Sequence, residues 1–257
     1  TVLAPTVGGL MLSVLPWYWL FAIGVPTTVA ALLLCGIIPE SEKRDTPFDI
    51  PGAIYCMASF GLVFAGIESA VHGAAPLLTA ALFGLGVPVA VRFVQRELRA
   101  PLPILPLDLL QRPMIALSVG GAMLTFIAST SVLVTLPFRL HGQFGLGTAA
   151  TGAILATWSL TMMFCAPTAG ILSDRVPATV LGAFGMAVAT TGALLLALLP
   201  EGAKGFDISW RIAVCAAGYA CYGSPPFRMV VSAAPPARVA PAGSLMTTAR
   251  MSGQALG

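Results

Sequence analysis

The amino-acid sequence predicts an all-α polytopic transmembrane helix bundle, truncated at both ends, on three observations. Of its 257 residues 57% are hydrophobic and only 9% charged, against roughly a quarter charged in a soluble domain. No soluble fold hides that much apolar surface without exposing large patches. The apolar residues also fall into runs of about 20, enough for a helix to cross roughly 30 Å of hydrocarbon. Finally, the short alternating segments that mark a membrane β-barrel are absent from the sequence.

Taken in order, complete spans are expected at Trp17–Ile38, Ile50–Ser69, Pro76–Val94, Met114–Phe138, Thr148–Leu172, Ala178–Leu199 and Arg211–Val231. Partial spans are expected at Thr1–Leu15 and Pro241–Gly257. The chain starts at Thr1 with neither an initiator methionine nor a basic leader, so it reads as an internal fragment. The stretch Ala100–Pro113 holds Pro101, Pro103, Pro106 and Pro113. Prolines lack the amide donor and keep a chain extended, which makes this stretch a stiff connector between two helical groups.

Basic residues in short loops set the orientation, because they stay on the cytoplasmic side. Lys43, Arg44, Arg92, Arg96, Arg99, Arg112, Arg175, Arg228 and Arg238 fall on one side, and only Arg139, Lys204 and Arg211 on the other. The first set is assigned to the cytoplasm. The aromatic cluster Trp17–Trp19 then lies at the outer interface, where amphipathic rings prefer to sit. A net charge of +3 scattered through loops makes no basic face for nucleic acid. Cys35, Cys56, Cys165, Cys215 and Cys221 stand singly in apolar stretches and read as small packing residues instead of disulfide or metal ligands.

The chemistry-bearing residues are few. No carboxylate falls at mid-membrane depth, so in a proton-driven protein the main proton carrier would lie outside this chain. Glu68, about one turn from the outer end of its helix, is either a proton site or a solvated helix end. Arg250 lies nine residues into its span, roughly 14 Å along a helix rising 1.5 Å per residue. A charge at that depth faces the bundle interior or snorkels to the interface. Arg228 follows Pro225 and Pro226, which must break or kink the helix above it; it is a gating residue or an interfacial cation. His72 and His141 are far apart, and no H-E-x-x-H, G-x-S-x-G or aspartate dyad occurs. Enzymatic chemistry is therefore not expected, nor is a cofactor or a metal.

Three stretches then carry a family resemblance. "APTVGGLMLSVLPWYWLFAIGVP" resembles the antiporter motif of drug:proton antiporters in the major facilitator superfamily, G-P-x-x-G-G followed by W-R-W-x-F-x-x-N-V-P. Pro5, Gly8 and Gly9 match, while Ala4, Tyr18 and Gly24 depart from it. "AGILSDRVP" is similar to the superfamily's G-x-L-x-D-R loop. There Gly170, Leu172, Asp174 and Arg175 match, and Pro177, Ala178 and Thr179 replace its glycine and basic tail. "SPPFRMVVSAAPPARVAPAGSLMTTARMSGQALG" resembles the end of the second half of the fourteen-helix branch through Ser224, Pro225, Arg228, Pro235, Arg250, Gly253 and Gly257.

The resemblance implies residues 1–38 as the end of a first bundle, 39–99 as two extra linker helices, 100–113 as a cytoplasmic connector and 114–257 as most of a second bundle. It further implies a secondary active transporter in the bacterial inner (plasma) membrane, exporting lipophilic or cationic drugs in exchange for protons by alternating access. Its partners would be the lipid bilayer, the small substrate, protons and the missing first helical bundle of the same chain. Asp174 and Arg175 would act as a loop latch or as an ordinary loop charge pair. Phe126, Trp158, Met162 and Met163 would line a substrate surface or be lipid-facing or packing residues. A facilitator-type carrier for one specific metabolite, or an inactive fragment, stays open beside this reading.

Overall fold

A computed structural model of the chain describes residues 16, 18–22, 24–34, 36, 49–73, 75–100, 103–200, 202–235 and 238–257. Pro5, Gly8, Gly9, Trp17, Cys35, Lys43 and Arg44 lie outside the described residues, as do the expected partial span Thr1–Leu15 and residues 37–48. Every regular element among the described residues is helical.

Short helices α1 (Trp19–Ala22) and α2 (Gly24–Leu34) come first. Asp49 then starts α3 (Ile50–Val71): its carboxylate accepts from the Gly52 amide at 3.0 Å, and Pro51 occupies the first turn. An Asp cap satisfies a helix amide that has no partner of its own, and proline loses nothing in that turn. A turn through Gly73, whose φ of 65° favours glycine, leads to α4 (Pro76–Glu97). The two helices meet through small residues. A Cβ on Gly86 would lie 3.1 Å from the Leu62 Cβ, and one on Gly66 would lie 3.2 Å from the Phe83 ring. At the same interface Ser69 and Thr79 hydroxyls share a 2.6 Å hydrogen bond.

The connector contains a 3-10 turn (Leu107–Gln111) and hands over at Pro113 to α5 (Pro113–Gly142). α6 (Thr148–Arg175) and α7 (Ala178–Ala197) follow. With α3 and α4, these three are, among the described residues, the helices long and apolar enough to cross a membrane. Their outer faces carry exposed Leu117, Phe138, Phe164 and Phe184, as expected of helices solvated by lipid. The five expected spans from Ile50–Ser69 to Ala178–Leu199 are thus present, each reaching close to its predicted ends, whereas the described residues of the expected span Trp17–Ile38 form the two short helices α1 and α2.

The expected single span Arg211–Val231 is different. α8 (Gly205–Gly223) starts six residues earlier, and a separate α9 (Pro225–Ala233) follows a break at Ser224. Pro225 and Pro226 supply no amide to the carbonyls of the preceding turn, so α8 cannot run on. α10 (Val239–Leu256) closes the chain.

The helices cluster into two compact units. One gathers Ala128–Pro226 with the described part of Thr1–Arg44; the other gathers Asp45–Ile127 and Phe227–Gly257. In the first, Leu136, Leu140, Ile154, Trp158, Ile208, Ile212 and Tyr219 form the core. In the second, Leu109, Ile115, Ala122, Val230, Leu245 and Met246 do so. Burying such a side chain contributes about 1.5–3 kcal/mol against water. Between helices already in lipid that drive is absent, and close packing and hydrogen bonds take over.

Candidate functional site

Arg250 lies mid-helix on α10, and the register of that helix decides what surrounds it. Ala242, Leu245, Met246, Ala249, Ser252 and Gly253 are buried. The packed face meets α5: a Cβ on Gly253 would fall 2.6 Å from the Met123 carbonyl oxygen and 2.9 Å from the Phe126 Cβ. The opposite face presents Thr247, Arg250, Met251 and Gln254, all exposed. Thr247 hydrogen-bonds back to the Gly243 carbonyl at 3.0 Å. Among the described residues, the side chains of Arg250 and Gln254 make no hydrogen bond or ion pair. A guanidinium with five donors therefore stands on a polar stripe of an otherwise apolar helix.

The other sequence-predicted residues are placed as follows. Arg228 is exposed in the first turns of α9, directly below the proline break. Gly170, Asp174 and Arg175 lie in the last two turns of α6, with Asp174 and Arg175 exposed. Glu68 is exposed in the last turn of α3, with His72 Nδ1 3.3 Å away. Trp158 is buried against Tyr219, ring centroids 5.6 Å apart, and Met162 packs on the same core. Met163 is exposed on α6, and Phe126 packs against Gly253 of α10.

Some polar residues have roles that loop counting did not reveal. Arg139, at the end of α5, donates to the Leu196 carbonyl at 2.8 Å. Arg211 donates to the Leu195 carbonyl at 2.6 Å and lies 3.4 Å from Asp207. Both cations thus sit on the carboxyl end of α7, where the helix dipole is negative. In the other unit, Arg96 pairs with Asp49 at 2.7 Å. The Gly52 amide, and then Arg96, hold the Asp49 carboxyl below the usual carboxylate range. Glu97 is buried, its Oε2 accepting from the Leu105 amide at 2.8 Å. Its neighbours, not its position beside a loop, set that burial. Asp108 is ion-paired with Arg238.

The architecture defines an integral membrane protein built as an α-helical bundle, with a proline-broken helix and an exposed cation midway along α10. The comparisons place it further. The family model described as Major Facilitator Superfamily matches residues 1–257, and the chain belongs to that superfamily. It is 36% identical over 256 residues to an uncharacterized transporter, YebQ, of Escherichia coli (strain K12), covering 98% of this chain and 56% of that protein. It is 25% identical to the multidrug resistance protein Stp of Mycobacterium tuberculosis, covering 100% of this chain and 48% of Stp. A lincomycin resistance protein, LmrB, of Bacillus subtilis is 28% identical over 179 residues, 67% of this chain and 37% of LmrB. The chain spans about half the length of the first two.

Proposed function

We propose that the whole protein exports lipophilic or cationic small molecules across the bacterial inner membrane in exchange for protons, by alternating access. The single observation that carries this reading is the match, over most or all of this chain, to proteins named for multidrug and lincomycin resistance. The antiporter-motif residues Pro5, Gly8 and Gly9 support the exchange mode. In this reading residues 1–38 close a first bundle, 39–99 are two linker helices, 100–113 connect and 114–257 supply most of the second bundle.

Arg250 is the intramembrane charge that turns towards solute, because a guanidinium in hydrocarbon is costly unless it meets water, protein or substrate. Arg228, below the helix break, gates that path, since broken helices persist at membrane depth where they line protein or water. Asp174 and Arg175 with Gly170 form the loop latch. Met163 and Met162 offer adaptable apolar contacts to substrate, with Trp158 in the core beside Met162; Phe126 is a separate candidate contact on α5. Glu68 is an outer proton acceptor subsidiary to one elsewhere in the protein.

The test is efflux of a lipophilic cationic dye from cells expressing the full-length protein. Extrusion that stops on addition of a protonophore supports the reading. Protonophore-insensitive extrusion, or uptake along the same gradient, contradicts it and favours a carrier for one metabolite.

A further inference from the structure

The connector between α4 and α5 is held at both ends. At its start Leu105 is 5% exposed and donates its amide to Glu97, itself 2% exposed, while Pro106 is fully buried. The second Glu97 oxygen is buried with no hydrogen-bond partner among the described residues. Beside it Asp49 joins the start of α3 to Arg96 of α4. The connector is thus anchored to the α3–α4 pair.

At its other end Leu109 is 3% exposed in a core with Val230, Ala234 and Ala242. Asp108 is ion-paired with Arg238, and the Arg112 guanidinium donates to the Ala233 carbonyl at 2.6 Å. Ala233 ends α9 and Arg238 caps the start of α10. Ala233 and Arg238 bracket the turn between the broken helix and the helix that presents Thr247, Arg250 and Gln254. Further along, Gly253 and Gly257 press α10 onto α5 so closely that an added Cβ would meet α5 backbone.

We propose that Glu97, Asp108 and Arg238 are positioning residues: through them the connector is a permanently closed tie that carries the α3–α4 pair with the start of α10 and so fixes the rotation of the Arg250 face. The two linker helices then act on the solute path through the connector and not by lining it. An exposed ion pair alone is weak, being half open to solvent and screened. Leu109 and Leu105, buried on either side of it, supply the holding force, and the charge pair selects the register. This inference rests on the transport reading above.

The test uses the full-length protein in membranes and measures efflux against substrate concentration. Asp108→Asn should raise the half-saturating concentration about fivefold at unchanged protein level, the scale of a modest polar coupling. Exchanging the charges, Asp108→Arg with Arg238→Asp, should restore it. In a variant without native cysteines, Asp108→Cys with Arg238→Cys joined by a short bis-maleimide should keep wild-type transport, because a tie does not open during the cycle. Unchanged kinetics in Asp108→Asn, no recovery on exchange, absence of linking, or transport abolished by linking would each overturn the proposal. A wild-type protein that exports nothing would instead refute the functional reading and leave the linking yield to judge the tie's geometry.

Discussion

Gly218 of α8 lies directly against Ala189 of α7: a Cβ at position 218 would stand 2.5 Å from the Ala189 Cα and 2.7 Å from the Gly185 carbonyl oxygen. One turn on, a Cβ on Gly192 would stand 2.7 Å from that of Cys215. The two backbones approach as closely as they do because these positions have no side chain, the usual solution for helices packed in lipid.

Gly218→Ala should therefore destabilise the protein. Alanine ordinarily favours a helix over glycine by about 1 kcal/mol, but here the methyl group would force backbones apart at a cost of about 1–3 kcal/mol. Gly61→Ala on α3 meets nothing within 4 Å and should be neutral or stabilising. Thermal unfolding in detergent reads both; a Gly218→Ala variant as stable as Gly61→Ala would refute the close approach.

Arg211→Met should cost about 1 kcal/mol, because it strips a charged donor from the part-buried Leu195 carbonyl at the end of α7. Arg139→Met should weaken the same helix end through Leu196. The pair removes two cations from the side that the loop charges assign to the outside, so membrane orientation, read by accessibility of tagged loops, should not change while stability falls. Unchanged stability in both would show these contacts to be incidental.

Acid should loosen the α3 cap through Asp49. Its folded carboxyl is held below the ordinary range, so its contribution is fully present above the unfolded value of about 4 and is lost as pH falls through the lower folded value. Asp49→Asn should then be less stable than wild type near neutrality, with the difference shrinking on acidification. A difference that grows in acid would reverse the sign and contradict the assignment.

Arg250→Ala in the full-length protein should lower transport by about 10- to 100-fold, the range expected for losing one charged hydrogen bond to solute or to a partner group. Insertion and expression should be normal, since the side chain takes no part in α10 packing. Wild-type transport at normal expression would mean that Arg250 only reaches the interface.

The spans were legible because hydrocarbon thickness imposes a length and composition that needs no knowledge of neighbours. The break before Arg228 was legible for an equally local reason, two adjacent prolines. The six-residue shift of the α8 start was not, because Gly205–Trp210 is too polar to look membrane-bound until Arg211 is seen pairing with Asp207 and the end of α7. Charge counting assigned Arg139 and Arg211 to loops, yet both are spent on helix carbonyls. Trp158 and Met162, plausible substrate contacts by residue type, lie in or on a core that α6 shares with residues of α5, α7 and α8. Periodicity identifies an apolar face but not what covers it.

The central claim is most directly tested in inside-out membrane vesicles carrying the full-length protein, with an acidic interior imposed and a fluorescent lipophilic cation added outside. The account predicts accumulation of the cation inside together with partial collapse of the pH gradient, both absent without the protein. Accumulation that leaves the gradient untouched, or movement of the cation out of the vesicles along it, would contradict proton-driven export.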